Sequence, residues 1–221
     1  MPWGDEKPGR SITAADRRKL RAELARAKSP PQLRDRALFL TLWSSAMRVS
    51  EALALDLAQC LEDPDRPTLG RFRAEVLLRP EQTKGRRNVP PPQRWNSAGR
   101  VHVSAEARAA LRPYVQLVLA RGWTSTAGPL FISMQGRGHG RLSKRAAQRA
   151  WHELQTRAQI RDHYRLHDLR HDAVTRFAAE ASGDVFAVAA FARFNDIRTA
   201  QRYVHMQAEE IARLAERASR R

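Results

Sequence analysis

Apolar positions along this chain recur mostly with the 3.6-residue period of helices. Leu20 and Leu24 share one side of a segment that Thr13 caps, with Asp16 three positions on, and the pattern predicts a helix to about Lys28. Ser29-Pro30-Pro31 breaks the chain and opens a second helix, since proline is tolerated in a first turn. From Ala37 to Trp43 that helix is apolar nearly all round, which predicts a place in the middle of the core. Ser50 is then available to cap a third helix carrying Glu51, Leu53 and Leu55, and an acidic, proline-containing loop follows from Cys60 to Gly70. Ala74 to Pro80 reads as a strand, Arg87 to Pro91 as an edge-like second strand because of its prolines, and Val101 to Val103 as a short third. Lys84 and Gly85 fall in the turn between the first two.

Helical spacing returns at Ser104, which caps a segment to about Arg121, and again at Ser143, which caps a basic helix with Ala147, Trp151 and Leu154 facing inward. Beyond His167 a helix places Leu169, Ala173 and Phe177 on its core face. Val185 to Ala192 is apolar on most sides and is expected to be buried; Asn195 or Asp196 then caps a helix with Tyr203 two turns in. The fold class is α+β, predominantly α, with a small antiparallel sheet inserted among the helices. Residues 1–11 read as a disordered lead-in, 12–206 as one domain, and 207–221 as an amphipathic helix with Ile211, Leu214 and Ala218 aligned, a candidate subunit contact.

Composition narrows the function classes. A formal net charge of +17 over 221 residues favours a polyanionic partner, and double-stranded DNA is the leading one. No stretch approaches the ~18 consecutive apolar residues of a membrane span, and the amino terminus lacks a signal-peptide core. Cys60 is the only cysteine, so an internal disulfide is excluded and a cytosolic setting fits, on the nucleoid when DNA is bound. Only five of the 40 basic residues are lysine, and arginine forks grip phosphate oxygens bidentately. Lys144, Arg145 and Arg149 are candidate DNA contacts on the basic helix, a pattern that a solvated charged face explains equally well.

Candidate chemistry sits in two distant places. His163, His167 and His171 fall at i, i+4 and i+8, but acids and cysteines to complete a metal site are missing nearby, so no metal and no other cofactor is expected. The Gln135–Arg141 stretch is glycine-rich and basic without the Gly-Lys-Ser/Thr of a phosphate loop. His167-x-x-Arg170 followed by a lone polar-helix tyrosine, Tyr203, points instead to phosphoryl transfer on a nucleic acid with tyrosine as nucleophile. Arg48, beside two apolar helices, reads in isolation as exposed or paired with Glu51.

Taken together, SSAMRVSEALAL around Arg48, TKGRRNVP around Lys84, LHDLRH around His167 and Arg170, and NDIRTAQRYVHM around Tyr203 resemble the catalytic domain of the tyrosine recombinases, the phage integrase family, over roughly residues 11–221. The resemblance implies a site-specific DNA recombinase that works without cofactor or small-molecule substrate, as a homo-oligomer on paired DNA sites. It implies that Arg48 and Arg170 hold the scissile phosphate, Tyr203 attacks it to give a 3′-phosphotyrosyl link, Lys84 protonates the leaving 5′-oxygen, His167 assists at the tyrosine, and Glu51 orients its neighbours. The sequence departs from the family pattern at Phe194, nine positions before Tyr203, where a histidine or tryptophan is usual. The turn after Lys84 is also shorter, and no separate amino-terminal clamp domain is expected from residues 1–11. These departures motivate an alternative, a DNA-binding regulator or accessory protein on a recombinase scaffold.

Overall fold

The fold is described here from a computed structural model covering residues 10–83, 99–134 and 139–205, with Ala212 and Glu216 beyond them. The lead-in before residue 10, the turn holding Lys84, the expected strand at Arg87–Pro91, most of the Gln135–Arg141 stretch and the terminal helix around Ile211, Leu214 and Ala218 lie outside the described residues.

Helix α1 (Ala14–Ala25) begins where the Thr13 hydroxyl accepts from the Asp16 N–H at 3.1 Å. Helix α2 (Pro30–Ser45) is capped by Ser29, whose N–H is taken by Gln32 at 3.1 Å. As its all-round apolar pattern predicts, α2 runs through the middle of the molecule: Ala37, Leu38, Phe39, Leu40, Leu42 and Trp43 are all buried. Against it pack α1, α5 (Ala105–Ala120), α6 (Lys144–Arg157) and α7 (Asp168–Glu180). Short helices α3 (Val49–Leu53) and α4 (Leu57–Cys60) follow α2 directly. The cap of α3 is Arg48 rather than Ser50, because Glu51 stands three positions after Arg48 and its carboxylate accepts the Arg48 N–H at 2.8 Å.

The sheet consists, among the described residues, of β1 (Glu75–Leu77) and β2 (Arg100–His102), antiparallel with Val76 opposite Val101. Val76 and Val101 point into the core while their neighbours are exposed, the alternation of a one-sided sheet.

The segment leading into α7 is pinned from two sides. Trp151 and Gln155 of α6 both donate to the Tyr164 carbonyl, at 2.8 and 3.1 Å, and the Tyr164 hydroxyl donates to Asp16 at 2.8 Å. Helix α7 is then fixed by Asp172, 1% exposed, which accepts from Trp43 Nε1 at 2.6 Å and from Arg17 and Arg176 at 3.0 Å. Replacing Asp172 by Ala strands the buried indole N–H and removes two charge-assisted bonds. The expected loss is about 1.5–3 kcal/mol, read as a lower urea midpoint at unchanged slope. Asp172→Asn, which keeps an acceptor for Trp43, loses less.

Helix α8 (Val185–Ala192) departs from expectation. Only Val188 and Ala192 along it are buried, and Phe186 is 79% exposed. Its apolar composition says that it has no polar face, and whether an element is buried depends on what packs against it. One stripe at i, i+4 meets α7, where Phe177 and Phe191 stack at 4.2 Å, and the rest forms an apolar surface. Helix α9, residues 197–205, is capped by Asp196, which accepts the Arg198 N–H at 2.9 Å. Around α7, α8 and α9 lies a second, smaller cluster of buried residues, Ala46, Ala173, Val174, Ala178, Val188, Ala192 and Ala200. Among the described residues no helix is long and apolar enough to cross a membrane.

Candidate active site

The end of α2, the first turn of α7 and helix α9 bring the chemistry together. At the end of α2, Ala46 turns left-handed, with φ 50°, and throws its carbonyl toward α7. The chain re-enters helix at once, so Arg48 caps α3 and Glu51 lies inside its first turn. Glu51 is fully buried, and its two oxygens are shared out: Oε1 accepts from Arg48 Nη1 at 2.8 Å, while Oε2 accepts the Arg48 N–H at 2.8 Å and Arg193 Nη2 at 2.7 Å. Burial pushes this carboxyl up, but Arg193, the Arg48 N–H and the Arg48 guanidinium together outweigh it and hold the pKa below the ordinary carboxylate value.

Arg170 comes from the first turn of α7 and is 5% exposed. Its Nη1 donates to the Ala46 carbonyl and its Nη2 to the Ala192 carbonyl at 2.6 Å, so the fork is fixed between the ends of α2 and α8. Burial, then the neighbouring Arg48 and Arg193, bring its pKa down to about 9, which still leaves it charged at neutral pH. A guanidinium carries five N–H donors; two carbonyls occupy part of that set and leave the remainder for an anion. Arg48, with a side chain 34% exposed, is the more open of the pair.

Tyr203 approaches from α9. Its hydroxyl lies 3.1 Å from His171 Nδ1, its ring stacks on Phe194 at 5.6 Å, and the Arg170 guanidinium sits 5.5 Å from the Phe194 ring centre. Burial raises the phenol pKa above its ordinary value and Arg170 pulls it partly back, so the hydroxyl keeps its proton at neutral pH. Burial is also the main influence on His171; it lowers the pKa despite Asp168 and Asp172, so the ring is neutral there. A neutral imidazole accepting at Nδ1 carries its proton on Nε2, and His171 Nε2 is buried with no hydrogen-bond partner among the described residues. The arrangement is a protonated phenol beside a neutral base, next to a cluster with three guanidinium groups and one carboxylate.

Of the residues singled out from sequence, Arg48, Glu51, Arg170, Phe194 and Tyr203 converge here. His167 is exposed at the cap of α7, one turn before the His171 that meets the tyrosine. Of the aligned histidines, His163 faces His152 at 2.8 Å between Nδ1 atoms, and His171 faces Tyr203. Lys144, Arg145 and Arg149 are exposed on α6, opposite buried Ala147 and Trp151. Lys84 lies outside the described residues. Sequence reasoning passed over two members of the cluster, His171 and Arg193. The available signals were slight: a histidine adjoining Arg170, and an arginine at a helix end where glycine is favoured.

Residues 10–210 match the model of the phage integrase family. The tyrosine recombinase XerC of Actinobacillus succinogenes is 27% identical over 194 residues, 87% of this chain and 56% of that protein. The chain therefore spans about half the length of the curated relatives it matches. A crystal structure of XerA recombinase superposes with a TM-score of 0.65 at 16% identity, covering 99% of this chain and 66% of the other. XerH site-specific recombinase, bound to palindromic difH substrate in a post-cleavage complex, superposes with a TM-score of 0.67 at 14% identity, covering 97% and 55%.

Proposed function

This chain belongs to the phage integrase family, and within it we propose a site-specific DNA strand-transferase that cleaves and rejoins DNA through a 3′-phosphotyrosyl intermediate on Tyr203. The observation that carries the reading is the Tyr203 hydroxyl held 3.1 Å from His171 beside the Arg170 fork. In the forward step the phenolic oxygen forms a bond to phosphorus, its proton passes to His171 Nδ1, and the bond to the 5′-oxygen breaks. Lys84 supplies the proton to that leaving oxygen, and His167, at the head of α7, assists on the tyrosine side. Arg48 and Arg170 bind the non-bridging oxygens and stabilise the charge that spreads over them, with Glu51 fixing the direction of Arg48. The phosphotyrosyl ester conserves the bond energy, so religation is the same step reversed and needs no ATP.

The XerH neighbour is held on its DNA substrate, and double-stranded DNA is the partner proposed for this chain. Lys144, Arg145 and Arg149 supply backbone contacts, within a chain of net charge +17. Assembly on DNA as a homo-oligomer is proposed to use residues 207–221. The test is incubation with nicked suicide duplexes carrying the sequences that flank its own gene. A covalent protein–DNA adduct that survives denaturation and disappears on protease digestion is expected; no adduct on any flanking site would overturn the reading.

Phe194 offers a second measurement. Its ring lies between Arg170 and Tyr203 but has no N–H to give a phosphate oxygen. Phe194→His restores a donor at that place, and adduct formation is expected to accelerate by about 10²-fold. An unchanged rate would place the phosphate away from this ring.

A further inference from the structure

Arg193 is the group in this cluster that neither the sequence pattern nor the proposed reaction uses. It closes α8 in the left-handed region, with φ 55° and ψ 46°, a conformation that favours glycine at a helix end. A long basic side chain at a surface helix terminus ordinarily extends its charge into water. This one turns inward until its side chain is 2% exposed. There Nη2 donates to Glu51 Oε2 at 2.7 Å and to the Ala46 carbonyl at 3.3 Å, and Nη1 donates to the Ser45 carbonyl at 3.4 Å. The Ala46 carbonyl is the same oxygen that receives Arg170 Nη1.

We propose that Arg193 is a positioning residue of the phosphate site: it holds Glu51 and the Ala46 carbonyl in the places from which Arg48 and Arg170 are aimed. Two guanidinium groups converge on one carbonyl, and two on one carboxylate, so neither phosphate-holding arginine can move without disturbing Arg193. The charges facing Glu51 are Arg48 from its own helix, Arg193 from the end of α8 and Arg170 from α7. Three cations around one buried anion leave the cluster with surplus positive charge and favour an incoming phosphate. Because Arg193 reaches this cluster from the residue beside Phe194, it also ties the α8 end, where a donor is missing, to the α2 end, where both arginines are anchored.

The inference rests on the strand-transfer reading for its kinetic part, and the test separates the two. Arg193→Gly relaxes the backbone and removes the fork; Arg193→Lys keeps the charge without the fork. Two quantities are measured for each variant and for wild type: the rate of covalent adduct formation on the suicide duplex, at a temperature well below every melting transition, and the titration of the Glu51 carboxyl by ¹³C NMR in the free protein. In Arg193→Gly the Glu51 midpoint is expected to rise and the adduct rate to fall about 10²-fold, the usual effect of misplacing reacting groups, while affinity for the duplex stays within a few-fold. Arg193→Lys should restore part of both. A Glu51 midpoint that stays in place in Arg193→Gly, or an adduct rate equal to wild type, overturns the positioning role. If wild type itself gives no adduct, the strand-transfer reading fails, and the Glu51 titration alone then decides whether Arg193 holds that carboxylate.

Discussion

Tyr203→Phe is expected to give no covalent protein–DNA adduct at any time point, while binding the same duplex within a few-fold of wild type. The substitution removes one oxygen from a ring that otherwise keeps its stacking on Phe194 at 5.6 Å. The other two tyrosines are committed elsewhere: the Tyr164 hydroxyl donates to Asp16 and the Tyr114 hydroxyl to the Leu130 carbonyl. Affinity should persist because it comes from the basic surface and the two arginines, and in both proteins it should fall steeply with salt as phosphate counterions are released. An adduct that persists in Tyr203→Phe would remove the nucleophile assignment and with it the proposed step.

The second large effect belongs to His171. With the phenol pKa held above its ordinary 10.0 by burial, Tyr203 needs a base at neutral pH, and His171 Nδ1 is the acceptor in reach at 3.1 Å. General-base catalysis of this kind is worth about 10²–10⁴-fold, and His171→Ala should lose that much at pH 7. The pH dependence carries the sign. Burial depresses the His171 pKa below 6.5, so the neutral, active form dominates at pH 7 and wild-type cleavage falls as pH drops through that depressed value. The same depression means that the unfolded chain takes up this proton first, so stability declines as pH falls below 6.5. In His171→Ala the acid limb of cleavage should vanish, and the residual rate should climb with pH toward the phenol pKa. A variant that keeps the wild-type acid limb would transfer the base to His167.

The contrast between His167 and His171 marks where sequence stops being informative. The residue types of the candidate site are legible because the proposed phosphate chemistry needs guanidinium forks and an oxygen nucleophile, and the fold brings Arg48, Arg170 and Tyr203 into one cluster. Which histidine faces the tyrosine is set by how α9 lies across α7, a long-range packing angle that the spacing of histidines along one helix does not encode. The α2 segment from Ala37 to Trp43 was readable for the opposite reason: it is apolar nearly all round, and α1, α5, α6 and α7 pack against α2. Helix α8 shares that composition and lies at the surface, since eight apolar residues state a preference and not a neighbour. The Arg48 cap follows from the glutamate three positions later, a local signal that outranks the nearer serine. Arg193 was hidden because its left-handed backbone, visible only in three dimensions, is what turns its side chain inward.

The second, alanine-lined cluster has a consequence for how the domain breathes. Helix α2 is locked by large aromatic and aliphatic side chains, whereas α9 contributes a single fully buried side chain, the methyl of Ala200, with Tyr203 and Val204 only partly covered. A buried methyl supplies about 0.8 kcal/mol, so α9 can detach at a free-energy cost far below that of unfolding the domain. Amide protons of 200–205 would then exchange with deuterium through this partial opening, while those of α2 wait for global unfolding. The proposed nucleophile rides on a thinly covered helix, and Arg170, proposed to hold the phosphate, is anchored at the end of the deeply buried α2.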